Sequence, residues 1–453
     1  MAGLTSQLAA FATDTAWGLD DGHDVRATVG RAFIDTVAVT LAGRNEAVVD
    51  VLTKWVASRG RPAREARIGL GDTFVASDDA ALINGAAAHA LDYDDVSLCG
   101  HPSAVLVPAL LAEGERLASS GATVMRAYVA GFETWAELIS RDSGSHHLKG
   151  WHPTGVFGFV ASAAAVACLR GVSRAVCEHA LSLAASMSSG LVGNFGSMAK
   201  PFHAGRAAAG GITAVDLAGA GLRAAVDVLE HRSGFLQAIS PNGNVDTESP
   251  AHMKAGHHLA RCGLNIKKYP TCFATHRVID AMLDLVHDND LRPQHVSRVD
   301  VTIGPTQARM LHSHAPGSSL EAKFSMEFAV AAALVARRVG IEQLLDSFVT
   351  LPEVQWLFAR VQTSIVHTVC TSEPTLAESD RVLVTLHDGR VLDSGEVFAA
   401  RGSSTRPMRA EELRAKFDDC LLSVGWPNPK QLYEQLQGFE NLPDVSLLGK
   451  QSR

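Results

Sequence analysis

From its first residues to about position 265 the chain repeats apolar residues at three- and four-residue spacing almost without interruption. That period constrains the fold more than any other feature, because it matches a helix and rules out a sheet. The segments "DVRATVGRAFIDTVAVTLAG" (24–43) and "RAYVAGFETWAELIS" (126–140) are representative. Aromatic residues make up only 6% of the chain, so Ala, Val and Leu must fill the core, and such a core suits closely packed helices. The small residues of "HAGRAAAGGITAVDLAGAGL" (203–222) let helix axes approach one another; packing explains their glycines. Ser173 before "RAVCEHALSLAASM" and Thr154 before the apolar run Gly155–Leu169 are suited to N-capping. That run is too short and too rich in small residues to span a bilayer and is expected to be a buried helix.

The texture changes near residue 265. "VSRVDVTIG" (296–304) alternates polar and β-branched residues, and "RVLVTLHDGRVLDSGEV" (381–397) predicts a hairpin turning at Asp388-Gly389. With 453 residues, two domains are expected. The fold class predicted is mainly α: an all-helical domain over 1–265, an α+β domain over 266–402, and a helical tail over 407–453 that packs back on the first.

A net charge of −8 without a basic stripe argues against nucleic acid as a partner. Seven widely spaced cysteines with no C-x-x-C pair read as reduced thiols in a cytoplasmic protein. The N-terminal stretch lacks the pattern of a signal peptide, and no membrane association is expected.

Four polar clusters interrupt the apolar background. The first is "NGAAAHALDYDDVSLCGHPSA", in which a helix ending near Tyr93 would place His89 and Asp92 on one face. The second is "KGWHPTG", with His152 just ahead of the buried helix, where free N–H groups attract a carboxylate. The third is "AKPFHAGRAA", with Lys200 and His203 at a helix start. The fourth is "IKKYPTCFATHRVIDA", with Lys267, Lys268, Tyr269 and His276 at the domain junction. Taken singly, an acidic turn is a solvated cap, a His before Pro a packing residue, and a lysine at a helix end a surface charge. Together they bring carboxylate, imidazole and ammonium groups to element boundaries, where side chains converge.

Zinc-ligand spacings, a phosphate-cradling glycine loop after a strand, a P-loop and a nucleophile elbow are all missing from the sequence, so no metal and no cofactor is expected. What remains is proton transfer at carbon next to a carboxylate, with lysines binding carboxylates and stabilising enolate-like charge.

In this order, "NGAAAHALDYDD", "GHPSAVLVPALLA", "WHPTGVFG", "KPFHAGRAAAGG", "IKKYPTCFATH" and "EAKFSMEFA" resemble the MmgE/PrpD family over about residues 30–335, with a similar texture almost end to end. The resemblance implies a large helical domain, a smaller α+β lid domain, a homodimer, no metal, and an active site in the cleft between the domains. Carried over by position, the catalytic residues would be Asp92, His101, His152, Lys200 and Lys267. Lys267 is preferred to Lys268 because the family pattern is Lys, any residue, aromatic, Pro. Tyr93, Val96, His203, Lys268, Tyr269, His276 and Phe328 are expected to contact the substrate. Asp94 and Asp95 are expected to brace the loop. The chain departs from the family's decarboxylases and dehydratases at Val96 and Ser97, where Thr and often Trp stand. It departs from the dehydratases at Ala104 and Val105, and from the decarboxylases at Phe328, which replaces a tyrosine.

The reading is a cofactor-independent lyase, dehydrating or decarboxylating, on a small di- or tricarboxylic acid. His101 and Asp92 would form one wall and Lys200 and His152 the other. An epimerase of a dicarboxylate such as iminodisuccinate, and a non-catalytic polycarboxylate-binding protein, are the alternatives.

Overall fold

Two helices rich in small residues, Ser77–Ala90 and Ala199–Gly219, cross so closely that Gly85 and Gly205 meet backbone to backbone. A Cβ on Gly205 would lie 2.1 Å from the Leu82 carbonyl oxygen, so only glycine permits this approach. The crossing is one part of a helical assembly that includes Val25–Ala42, Pro102–Leu117, Gly121–Ile139 and Pro153–Arg170. The computed structural model describes residues 2–19, 25–254, 256–371 and 373–450.

The chain divides into two compact units. The first comprises the residues up to Ala90, Asp94–Leu264 and the chain from Val424 onward; the second comprises Leu91–Tyr93 and Asn265–Ser423. The fold is mainly α, with a small sheet in the second unit. In the first unit, serine hydroxyls start helices by accepting a backbone N–H three residues on, as Ser120 does from Thr123 and Ser173 from Val176. Thr154 does not cap. The helix it was expected to start begins at Pro153, with His152 at the N-cap, because proline is pre-set for the first helical position. Pro153–Arg170 is long and apolar enough to cross a membrane, yet 94% of it is buried inside the protein.

In the second unit, β3 (Val296–Ile303) buries Val296, Val299, Val301 and Ile303; β1 (Ala66–Arg67) and β2 (Phe74–Val75) form a minor ribbon in the first unit. β3 pairs in parallel with β4 (Val361–Ile365) and antiparallel with β5 (Asp380–Leu386), which pairs antiparallel with β6 (Val391–Val397). The turn of the β5–β6 hairpin contains Asp388 and Gly389, the glycine at φ +88°. Helices His276–Asp288 and Met326–Ala336 complete this core with Val278, Ile279, Met282 and Phe328. The helix Ala410–Ser423, expected to return with the tail, belongs to this second unit; only the chain from Val424 joins the first.

Candidate active site

In the first unit, five helices bring imidazoles and an ammonium to one cluster. His89 rides on the last turn of Ser77–Ala90, and His101 and His152 are the N-cap residues of Pro102–Leu117 and Pro153–Arg170. His147 lies in the short helix His146–Lys149, and Lys200 and His203 occupy the start of Ala199–Gly219. Backbone bonds fix two of these. The His101 N–H donates to Thr154 Oγ1 at 3.2 Å, and the His152 N–H to the Gly190 carbonyl at 3.1 Å. The rings touch: His89 and His101 are 4.3 Å apart by centroid, and His152 Nδ1 lies 3.1 Å from His203 Nδ1. Phe195 stands edge-on to His152 and beneath the Lys200 ammonium, 5.3 Å away.

Asp94 is the carboxylate of this cluster. Its Oδ2 is 2.9 Å from both His89 Nδ1 and His101 Nδ1. Burial alone would push the Asp94 carboxyl up; the imidazoles of His89 and His101 overcome that and hold it well below the usual range. Burial drives His89 down to about 3, helped by Lys200 and His101 and opposed by Asp94, so His89 is a neutral donor. Burial likewise takes His152 well below its ordinary value and His147 to about 4, with Lys200 adding to both. His89, Asp94 and His101 keep their donor atoms within 4.8 Å of one another, a spacing that could hold a cation. His89 Nδ1 makes a direct hydrogen bond to Asp94, while His101 Nδ1 stands at ion-pair distance, 2.9 Å, from the same carboxylate.

A second cluster lies in the second unit. Helix Ser77–Ala90 ends three residues before the expected point, and Asp92, at φ +51°, belongs with the second unit rather than on a helix face with His89. There Lys267 Nζ lies 3.0 Å from Asp92 Oδ1 and donates to the Asp92 carbonyl at 2.7 Å, with both side chains buried. Tyr93 donates its hydroxyl to the Lys268 carbonyl at 3.1 Å, and its own carbonyl accepts from Lys416 Nζ at 2.7 Å. The Lys416 ammonium also sits 4.0 Å above the Tyr93 ring.

Several residues expected at the substrate have other engagements. Lys268 pairs with Glu412 at 2.7 Å, and the Tyr269 hydroxyl donates to Asp280 at 2.6 Å. His276 is fully buried, its Nε2 3.3 Å from the Thr271 carbonyl, and burial with the charge of Lys267 lowers it to about 3. Phe328 is wholly enclosed in the apolar core, edge-on to Phe348. Val96 is half-buried at the foot of a turn, and the Ser97 hydroxyl donates to the Gly263 carbonyl at 2.8 Å. His147 and Lys416 escape the sequence, while Asp94 and Thr154, expected as a loop brace and a helix cap, instead contact the imidazole cluster. The five-residue spacing of His89 and Asp94 was the one local signal; Lys416 lies more than three hundred residues from Tyr93.

Two family models cover most of the chain: MmgE/PrpD N-terminal domain over residues 6–248 and MmgE/PrpD C-terminal domain over residues 269–437. The cis-aconitate decarboxylase of Homo sapiens is 27% identical over 466 residues, covering 98% of this chain and 94% of its own. That of Mus musculus is 27% identical over 92% of this chain and 87% of its own. The Aspergillus terreus cis-aconitate decarboxylase is 26% identical over 98% of this chain and 95% of its own.

Proposed function

Because the chain belongs to the MmgE/PrpD family, we propose that it is a lyase that decarboxylates cis-aconitate or a closely similar tricarboxylic acid. The observation that carries this reading is the end-to-end similarity to cis-aconitate decarboxylases, in a chain whose first unit gathers imidazoles, a carboxylate and a lysine.

The chemistry asks for what the two clusters hold. Loss of carbon dioxide from the CH₂-borne carboxylate of cis-aconitate breaks one C–C bond. Its electron pair becomes a new C=C bond, and the original double bond takes a proton at the carbon next to another carboxylate. A proton donor and cations for the remaining carboxylates suffice, and no electrons leave or enter. His101 is the proton donor in this reading. Lys200 and Lys267 are the cations, each buried in its own cluster. The reading carries with it a homodimeric, cytoplasmic enzyme that works without metal or cofactor.

Purified protein incubated with cis-aconitate in heavy water should release carbon dioxide and a five-carbon unsaturated diacid carrying one deuterium on carbon, seen by mass spectrometry. Lys200→Met and Lys267→Met should each lower kcat/KM by ~10²-fold or more. The departures at Val96 and Ser97 bear on the substrate, and the second reading is epimerisation of a dicarboxylate such as iminodisuccinate. Deuterium entering that acid without other mass change would establish it in place of the first. Loss of water from 2-methylcitrate or citrate would make the enzyme a dehydratase. Binding of these acids without turnover or exchange would mark a non-catalytic protein.

A further inference from the structure

The turn Ser97–Gly100 has an unusual build. Ser97 and Gly100 exchange both backbone hydrogen bonds, at 3.0 and 2.9 Å, while Leu98 and Cys99 sit at φ +53° and +55°. Two left-handed central residues define the tightest hairpin turn, which chains make with Asn-Gly because other residues pay for the conformation. Here Leu and Cys bear it. Gly100 closes the turn against a wall, since a Cβ there would lie 2.8 Å from Trp135 Cζ2. The reversal returns His101 to Asp94, seven residues earlier, and Thr154 Oγ1 holds the His101 N–H from the far side. A strained turn that survives in a well-packed fold calls for something that the strain accomplishes.

Asp94 also differs from a loop brace in what it touches. Its partners among the described residues are side chains, the Nδ1 atoms of His89 and His101, whereas Asp95 accepts the Ser103 N–H and hydroxyl as a bracing residue does. We propose that Asp94 is the positioning residue of His101: its carboxylate keeps the proton on Nδ1, fixes the ring, and leaves Nε2 as the nitrogen that exchanges a proton with the substrate. His89 donates to the same carboxylate and holds it in place as the third member of the chain. This rests on the proton-transfer reading of His101 given above and adds the group through which His101 is aimed. The logic is that of any imidazole whose tautomer is set by a buried carboxylate.

Two measurements test it in the full-length protein. Nitrogen-15 NMR of labelled histidine, with His101 assigned by loss of its signal in His101→Gln, should show the Nδ1–H form in the parent and a changed tautomer or mixed population in Asp94→Asn. A parent His101 protonated on Nε2 alone overturns the proposal, whether or not a substrate has been found and whether or not the variant folds. With an active substrate, Asp94→Asn should lower kcat ~10²–10³-fold with KM within about threefold, and in a His101→Gln background it should cost less than about threefold more. Additive losses, or Asp94→Asn within threefold of the parent kcat, would show that Asp94 braces the loop and does not act through His101. Absence of turnover on every acid tried refutes the decarboxylase reading but leaves the NMR result to decide the role of Asp94.

Discussion

Asp94 and Asp95 are adjacent and both fully buried, yet they carry opposite protonation. Asp94 faces two imidazoles and is held ionised; Asp95 faces Ser103, with Asp94 and Asp35 nearby, and burial pushes its carboxyl up to about 8. The Ser103 hydroxyl that bonds Asp95 also lies 2.7 Å from the Tyr128 hydroxyl, so Asp95 stands in a buried chain of polar groups. The folded value lies above the roughly 3.9 of an unfolded chain. The folded protein therefore keeps a proton that the unfolded chain releases, and stability from this group is full at low pH and lost as pH rises towards about 8. Asp95→Asn keeps the shape and cannot ionise. Its unfolding free energy relative to the parent should improve by about 1.4 kcal/mol for each pH unit between roughly 5 and 7.5. Urea denaturation of both proteins at two pH values measures this, and a constant difference would place the titration on another group.

Helices carry the cluster, so its geometry depends on how closely they pack. Gly205 shares its helix with Lys200 and His203, and the helix it crosses carries His89. Gly205→Ala would press a methyl group onto the Leu82 carbonyl oxygen, a backbone atom that cannot rotate away. The cost should be about 3 kcal/mol, the upper end for overpacking. kcat should fall with it, because the lysine and the imidazoles move apart. Gly219→Ala, at the exposed end of the same helix with nothing within 4 Å, should be neutral or stabilising by up to about 1 kcal/mol. Equal melting temperatures for the two variants would refute the close-approach argument. These helices were readable in the sequence because a 3.6-residue period, serine caps and runs of small residues each report on a local preference. The β5–β6 hairpin was readable for the same reason, through Asp388-Gly389. The end of the helix at Ala90 was not. "HALDYDD" continues the apolar spacing, and nothing in it announces a left-handed Asp92. Nor does Leu98-Cys99 announce a tight turn, since both residues disfavour the conformation they adopt. Asp92, Asp94 and Asp95 look alike in sequence; their different roles come from partners that only the folded chain supplies.

At the scale of the whole molecule, the two units differ in which groups their cores hold out of their ordinary charge state. In the first, burial keeps His89 at about 3, His147 at about 4 and His152 well below its ordinary value, while Asp95 is the strongly raised carboxyl. In the second, His276 at about 3 is opposed by Asp380, which burial raises to about 7 against the pull of Arg277 and Gln307. Asp280 is raised too, again by burial. An imidazole held neutral contributes stability that is present above about pH 6.5 and is lost as pH falls towards its folded value, because the unfolded chain takes up the proton. A raised carboxyl acts in the opposite direction over an overlapping window. In the first unit the lowered imidazoles outnumber the strongly raised carboxyl, so its unfolding should take up protons, and its stability should fall, as pH drops below about 6.5. In the second unit the raised carboxyls Asp380 and Asp280 outweigh the one strongly lowered imidazole. Calorimetry from pH 7 to pH 5 should therefore show one transition moving down while the other holds or rises. His276→Gln should leave the mobile transition where it is, and His89→Gln should flatten its pH dependence. Two transitions that fall together, or neither falling, would mean that the imidazoles of the first unit are not held neutral by burial.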